Sequence, residues 1–360
     1  MQKQLNQLDL EQARREPLFV LPSFVGRWIT KHMLRGREAK NLAIVYVMVS
    51  VVLTMVPLVF LQFFLEGKVP LWASFMVGLV YVGFTIRANA RSFILALHYS
   101  THSPVFTRKW NGLRHLNSTV ICNLFGIPLW CYYAHHVAMH HDDNNMMPHD
   151  VSSTMPYKRD SKRDHWKYIL RYIFFAWFEL PYHLIRKGNL RVGLRCIAGT
   201  LIYVFCIAWL FTLKPISTLF VFILPALILS FALMEGNWKQ HIFVDPDDPD
   251  NPYKSTYTCI NTPTNALNFN DGYHIEHHLN PNLPWHMLPQ YFQKHVQNYA
   301  EQDGFVFRDI GFSGVGRLVL AGKLDELADH YVNVGQVKRT KDELITEFKR
   351  RLQPIKKPIA

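Results

Sequence analysis

Four long apolar stretches limit what this chain can fold into. Residues 42–65 contain no charged side chain, and as an α-helix they would be about 36 Å long, enough to cross the hydrocarbon core of a bilayer. Comparable runs lie at 70–86, 192–213 and 215–234, and only a few residues separate the two members of each pair. The sequence therefore predicts an all-α integral membrane protein with two transmembrane helical hairpins and four spans.

The positive charge of the chain is distributed unevenly. The formal net charge is +12, and Lys and Arg are concentrated before the first apolar run and between the second and the third. The only charged residues in the hairpin tips are Glu66, Lys68 and Lys214. The positive-inside rule therefore predicts that both termini and the middle loop are cytoplasmic, at the endoplasmic reticulum if the cell is eukaryotic. We attribute the excess of Lys and Arg over Asp and Glu to contacts with anionic lipid headgroups. No nucleic-acid partner is expected, because no recognition module is visible.

These features divide the chain into six predicted segments. They are a cytosolic N-terminal segment (1–41), a first hairpin (42–97), a cytosolic or interfacial loop (98–190), a second hairpin (191–236), a cytosolic segment (237–299) and a cytosolic tail (300–360). Weaker apolar stretches at 116–134 and 168–182 are predicted to lie parallel to the membrane. The tail is predicted to contain helices at 322–331 and 339–353, and the Pro/Asp-rich residues 245–252 are predicted to form a surface turn.

Histidines are concentrated beside the apolar runs. Ten of the 18 fall in four short motifs: HYSTH at 98–102, HHVAMHH at 135–141, NWKQH at 237–241 and HIEHH at 274–278. An even number of predicted spans precedes each motif, so all four are expected on the cytoplasmic side, in a histidine-rich helical cap. Spacings of i, i+4 would place the histidines of a motif on one helix face. A lone HxxxH pair is usually a surface or core feature, but three such groups together with His241, all beside apolar runs, predict bound metal.

The number and type of these side chains indicate which metal. The motifs offer nine good histidine positions, which is more than one ion can bind, so we expect two ions with water or Asn237 completing the coordination. Structural zinc would favour cysteine or four closed ligands, and the five cysteines lie outside the motifs. Imidazole-rich sites with open positions suit iron that must bind oxygen.

The order HxxxH, HxxxHH, NxxxH and HxxHH, with apolar hairpins between, resembles the membrane fatty acid desaturase superfamily. The continuation GYHIEHHLNPNLPWHMLP is similar to that family's third histidine box, and the resemblance covers roughly residues 40–295. It implies a non-haem di-iron site that uses molecular oxygen as co-substrate and removes hydrogen from an unactivated C–H bond of a lipid chain. The implied ligands are His98, His102, His136, His140, His141, His241, His274, His277 and His278, with Asn237 reaching the metal through water.

Several residues beside the boxes have more than one interpretation. The second box has three residues before its histidine pair, where the family usually has two, so His135 competes with His136 as the ligand. Asp142 and Asp271 are expected to orient ligand imidazoles, as carboxylates often do. Glu276 lies on the opposite side of its helix from the first histidine of the box, and we expect it to be a hydrogen-bond or salt-bridge partner rather than a ligand.

Two groups of basic residues lie beside the boxes. Arg87 and Arg91, one helical turn apart, are expected either to anchor the second span or to clamp the phosphate of a lipid or coenzyme headgroup. A second group is expected to dock an acidic electron carrier, cytochrome b5 or a ferredoxin, or else to hold the loop against anionic lipid: Arg159, Lys162, Arg163 and Lys167. A separate donor is expected because no fused cytochrome b5 signature (HPGG) is present.

The sequence thus predicts an oxygen-dependent desaturase that introduces a double bond into a long acyl chain, supplied as a lipid or an acyl thioester, in fatty acid biosynthesis or other lipid metabolism. A lipid hydroxylase or a carotenoid-ketolase-like oxygenase on the same scaffold is the alternative, because histidine ligands do not decide between these outcomes. A zinc-dependent membrane amidase or a metal transporter is the alternative from a different class.

Overall fold

The computed structural model describes residues 5–11, 21–335 and 338–355. These residues form two compact bodies. The C-terminal body comprises the described residues of Met1–Arg14, Ala138–Glu179 and Phe231–Ala360, and the span body comprises those of Arg15–Val137 and Leu180–Ser230.

The described residues are mostly helical. In chain order the helices are α1 (Gln7–Glu11), α2 (Ser23–His32), α3 (Leu42–Leu65), α4 (Leu71–Phe84), α5 (Arg91–His102), α6 (Asn111–Arg114), α7 (Leu116–Thr119), α8 (Lys162–Arg186), α9 (Leu190–Leu213), α10 (Pro215–Thr218), α11 (Leu224–Gln240), α12 (Pro252–Ser255), α13 (Pro263–Leu267), α14 (His274–Leu279), α15 (Leu288–Gln302), α16 (Phe312–Leu320), α17 (Leu324–Asp329) and α18 (Lys341–Arg351). Three π-helical segments occur at Thr85–Ala90, Tyr133–His141 and Leu219–Ile223. Two short strands, β1 (Thr258–Ile260) and β2 (Val306–Arg308), pair in parallel and are the one departure from the predicted all-α class within this part of the chain.

Four helical stretches of the described residues are long and apolar enough to cross a membrane, in agreement with the four predicted runs: Ala39–Leu65, Leu71–His102, Leu190–Leu213 and Pro215–Gln240. The second and fourth extend beyond the apolar run that predicted them. α4 continues through the π-helical segment Thr85–Ala90 into α5, because residues 85–102 contain no Gly or Pro to end the helix. His98 and His102 therefore lie on the same continuous helical stretch as the second candidate span.

A buried carboxylate connects α3 with α10 inside the span body. Glu66, the residue after α3, accepts hydrogen bonds from the backbone N–H groups of Ile216 at 3.1 Å and Ser217 at 2.8 Å. The Lys214 ammonium donates to the Glu66 carbonyl oxygen. The first N–H groups of a helix have no intrahelical partner, so this carboxylate satisfies donors that would otherwise be buried and unpaired.

Residues 116–134, which we predicted to lie parallel to the membrane, do not form one continuous helix. The segment is broken into α7, a 3₁₀ turn at Ile121–Phe125, and the start of the π-helical segment Tyr133–His141. Gly126 has a φ of +73°, and a Cβ there would lie 2.1 Å from the Cα of Ala226. Only glycine fits so close to another backbone, and Pro128 prevents the helix from restarting at once. By contrast, the predicted element at 168–182 lies within one longer helix, α8.

The core of the C-terminal body is aromatic and includes the chain's last helices. Trp238, Phe243 and Tyr257 are fully buried with Phe307 and Phe348. The predicted tail helices are present as α17 and α18, whereas α16 and the β1–β2 pair were not predicted. Residues after 300 therefore complete the same core as residues 234–259 rather than forming a separate tail.

Buried charged side chains hold the C-terminal residues in this core. Two of them, Asp245 and Arg159, were predicted to be exposed. Asp245, expected in a surface turn, is buried and forms ion pairs with Arg350 at 2.9 Å and Arg351 at 3.3 Å. Arg159, expected to be a docking residue, has no exposed surface. Its guanidinium donates to the backbone carbonyls of six residues, Thr154, Met155, Tyr157, Ile242, Arg351 and Gln353. Burial lowers its pKa to about 9.

Candidate metal centre

Four histidines from three motifs meet in the interior of the C-terminal body. His140, His241, His274 and His278 each offer a ring nitrogen, and these nitrogens all lie within 4.8 Å of one another. Neighbouring ring centroids are 4.8–5.3 Å apart. We call this set the histidine tetrad. His274 and His278 come from one face of α14, His241 follows α11, and His140 lies near the end of the π-helical segment.

His241 shows that the tetrad fits a metal ion. Its side chain is completely buried, and its Nδ1 lies 2.9 Å from the Ser255 carbonyl oxygen. A carbonyl can only accept, so Nδ1 carries the proton and Nε2 carries the lone pair. Nε2 is buried and has no hydrogen-bond partner. Burial, assisted by the neighbouring His140, lowers the pKa of His241 to about 3, so the imidazole is neutral. A buried unsatisfied acceptor is costly, and a metal ion would satisfy it.

His140 is oriented by a carboxylate that we did not predict. Its Nδ1 lies 2.8 Å from Asp150 Oδ2, and both side chains are buried. Asp150 Oδ1 in turn accepts hydrogen bonds from the backbone N–H and hydroxyl of Ser152. A carboxylate on the second nitrogen of a ligand histidine fixes its tautomer and raises its basicity. Asp150 lies nine residues beyond its motif, where spacing gives no signal.

The other five histidines form one pair and one triad. The rings of His141 and His277 lie 4.5 Å apart in the C-terminal body. In the span body, the His136 ring lies 4.4 Å from His98 and 4.9 Å from His102. His136, rather than its neighbour His135, is thus the member of the second box that joins the first box.

The helical spacing did not predict which histidines group together. His136 and His140 are four residues apart, yet His136 joins the triad and His140 joins the tetrad. Their segment is π-helical, and residues four apart in such a segment still lie on nearly one face, so the spacing does not decide which group each histidine joins. In α14 the rule holds for His274 and His278, while His277 lies beside His141.

Comparison with known proteins identifies the family. A family model described as "Fatty acid desaturase" matches residues 70–309, which is two thirds of the 360-residue chain. The chain belongs to the fatty acid desaturase family. Its members are oxidoreductases, and the four apolar helices agree with a membrane desaturase. No curated protein and no solved structure matches the chain.

In this desaturase-family chain, Asn237 is held beside the tetrad. Its Nδ2 donates to the Ser152 carbonyl at 2.9 Å and to the Tyr168 hydroxyl at 2.7 Å. Ser152 is the residue that also donates to Asp150, so the loop that orients His140 also orients Asn237. The two hydrogen bonds commit Nδ2 and so fix the orientation of the amide group.

Glu276 connects the helix of the third box to neighbouring elements through hydrogen bonds. It is fully buried and accepts hydrogen bonds from the Thr258 hydroxyl at 3.0 Å and from the Tyr299 hydroxyl. These contacts connect α14 to β1 and α15. Burial raises the pKa of Glu276 to about 7, and the two hydroxyls act against that rise. These hydrogen-bond partners are thus hydroxyl groups of neighbouring elements.

The remaining predicted residues lie at the periphery of these groups. Asp271 accepts a hydrogen bond from the Gln240 side chain at 3.0 Å, next to His241 in sequence. Asp142 is exposed, and His135 is partly exposed. Arg87 and Arg91 are both exposed on the helix that carries the first box.

Proposed function

We propose that this protein is an oxygen-dependent desaturase that introduces a double bond into a long acyl chain of a lipid. The observation that carries the proposal is the histidine tetrad, with the buried lone pair of His241 Nε2 facing three other imidazoles. Membership of the fatty acid desaturase family supports it. The five free cysteines take no part in the tetrad, which argues for imidazole-bound iron rather than a zinc–thiolate site.

The proposed cofactor is a pair of non-haem iron ions. The tetrad would bind one ion, with Asn237 reaching it through water. The proposed iron ligands also include the other five histidines that the family resemblance implies, His98, His102, His136, His141 and His277. When bound, the iron pair supplies oxygen activation for removing hydrogen from an unactivated C–H bond.

The protein's own contribution is to fix the ligands before metal binds. Asp150 and the Ser255 carbonyl hold the Nδ1 atoms of His140 and His241, so the Nε2 atoms of both rings are oriented before a metal binds. The Asp150–Ser152 loop, Asn237 and Tyr168 form one hydrogen-bonded unit, which ties α8 and α11 to the tetrad. This pre-organisation lowers the cost of ordering the site on metal binding.

The substrate and the electron donor are also part of the proposal. A lipid or acyl thioester would be the substrate, and cytochrome b5 or a ferredoxin would supply electrons on the cytoplasmic face, at the endoplasmic reticulum in a eukaryote. Lys162, Arg163 and Lys167 are exposed on the first turns of α8 and suit an acidic donor. Arg159 is removed from this docking set because it is buried. Arg87 and Arg91 retain their two proposed roles, as membrane anchors or a headgroup clamp.

Metal and product analysis together test the proposal. Protein purified after expression in iron-supplemented medium should contain close to two irons per chain. His241→Ala should lose metal, whereas the exposed His115→Ala should not. Cells that express the protein should accumulate an unsaturated lipid only when oxygen is present. Hydroxylated or ketone products with the same metal content would support an oxygenase instead, and one zinc per chain without oxygen dependence would support an amidase.

A further inference from the structure

A basic cavity lies where α2 meets the beginning of α3 in the span body. Its volume is about 450 Å³. Its lining includes three cationic side chains, Arg27, Lys31 and Arg37, and three hydroxyls, those of Ser23, Thr30 and Tyr46. None of these residues belongs to a histidine motif, so the site does not rest on the proposed redox chemistry.

The lining has the composition of a phosphate site. It carries three positive charges and contains no carboxylate to neutralise them. Arg and Lys donate charge-assisted hydrogen bonds to phosphate oxygens, and the hydroxyls add further donors. Leu42 and Ala39 give the cavity an apolar side as well. An inorganic anion would make no contact with this apolar side, whereas the apolar part of a phospholipid would cover it.

The close approach of the two helices shapes this cavity. A Cβ placed on Gly26 would lie 3.0 Å from the Tyr46 hydroxyl and 3.4 Å from Leu42 Cδ1. α2 can therefore pack this tightly against α3 because residue 26 has no side chain. The packing holds Arg27 and Lys31, on α2, near Arg37, which precedes the first candidate span.

The elements around the cavity indicate that it lies at the level of lipid headgroups. Phe24 and Trp28 are 67% and 51% exposed and are one turn apart on α2. An amphipathic helix with exposed aromatic residues and neighbouring cations is typical of the membrane interface. The first candidate span starts at Ala39, only two residues after Arg37. Cations at this depth meet the phosphate layer of the bilayer.

We propose that this cavity binds a phosphate group carried by an anionic membrane lipid. The same chemistry would recognise a soluble phosphate compound, so the test must separate the two sources. Full-length protein purified in detergent is titrated with phosphatidic acid, with diacylglycerol as the matched lipid that lacks phosphate, and with inorganic phosphate as competitor. Bound lipid is counted by native mass spectrometry.

The cavity variant is Arg27→Gln/Lys31→Gln/Arg37→Gln. The control is Arg35→Gln/Lys40→Gln/Lys109→Gln, which removes the same charge from exposed residues outside the lining. We expect the Kd for phosphatidic acid to rise at least about tenfold in the cavity variant and to change little in the control, because only the cavity cations would donate charge-assisted hydrogen bonds to the phosphate. Competition by millimolar inorganic phosphate would identify a soluble phosphate as an alternative source; its absence would identify the lipid.

Equal loss in both triple variants, or equal binding of diacylglycerol, would overturn the proposal. Photo-crosslinking of a phosphatidic acid probe to the wild-type protein provides a measurement that does not depend on variant folding. Crosslinks within residues 23–46 would support the site. Crosslinks confined to other segments would refute it, whatever the variants show.

Discussion

At the scale of single residues, a hydrogen bond at Nδ1 orients two of the tetrad imidazoles, those of His140 and His241. The Ser255 carbonyl fixes the tautomer of His241, and Asp150 does the same for His140. Neither partner is part of a histidine motif. Metal affinity is therefore expected to depend on these hydrogen-bond partners as well as on the histidine ligands themselves.

Removing Asp150 tests this dependence. Asp150→Ala leaves all nine histidines in place but takes the acceptor from His140 Nδ1, so we expect metal affinity to fall roughly 10–100-fold. Asp150→Asn, which keeps an acceptor oxygen but loses the charge, should fall less. Iron content measured against a competing chelator reports the change. The exposed Asp309→Asn is the control, and wild-type affinity in Asp150→Ala would refute the role.

At the scale of elements, both ends of the chain pack against the segments that carry the tetrad. In α1, Asp9 accepts hydrogen bonds from the Tyr273 hydroxyl and the Asn261 backbone N–H, both at 2.6 Å. Burial raises the pKa of Asp9, and its hydrogen bonds oppose the rise. Tyr273 immediately precedes His274, so α1 supports the start of α14. At the other end, Arg159 joins the C-terminal end of α18 and Gln353 to Ile242, next to His241.

The first element prediction concerns α1. Asp9→Ala should leave the Tyr273 hydroxyl and the Asn261 N–H buried without their acceptor, and it should cost about 1–3 kcal/mol. The measurement is the thermal midpoint in detergent, compared with Glu11→Ala on the exposed side of the same helix. The same loss in both variants would show that α1 contributes only general helix stability.

The second element prediction concerns Arg159. Arg159→Met retains much of the apolar volume but leaves several buried carbonyls without a donor, so we expect a loss of about 3 kcal/mol or more. Limited proteolysis should then cut near α18 before any other helix. Arg163→Met is the control, since Arg163 is exposed on α8. A slower electron transfer with unchanged stability in Arg159→Met would instead restore its predicted docking role.

At the scale of the whole molecule, the histidine tetrad lies in the C-terminal body, whose core includes residues after 300. Metal binding should therefore stabilise the C-terminal body through linkage, by about 2.7 kcal/mol when free metal is a hundred times its Kd. Chelation should lower the thermal midpoint, and Fe(II) should restore it. His241→Ala should show a smaller shift on chelation than His115→Ala. No shift on chelation of iron-loaded protein would contradict a bound metal.

Membrane topology is the second prediction at this scale. Single cysteines at Lys158 and Lys68, both exposed, are introduced after Cys206, the exposed native thiol, is changed to serine. A membrane-impermeant maleimide should label Lys158→Cys only from the cytoplasmic side and Lys68→Cys only from the opposite side. Labelling of both from one side would break the predicted topology of four crossings.

The sequence by itself determined the helical membrane class and the nature of the site. Long uncharged runs have few stable folds other than apolar helices, and a set of histidine motifs this large is difficult to explain without metal. The third box also paired His274 with His278 as its α-helical spacing required. These features are local, because they depend on the residue types and on distances of a few residues along the chain.

Only the tertiary structure decided how the histidines divide and what supports them. His136 and His140 lie four residues apart in one π-helical segment but join different groups, and that division depends on where the histidines of other segments pack. Asp150, Tyr168 and Ser255 reach the site through loops and helices whose approach no periodicity encodes. Charge alone likewise suggested that Arg159 and Asp245 were exposed. Both are buried because the tail returns to the core, where backbone carbonyls and arginines replace the water that a surface charge would need.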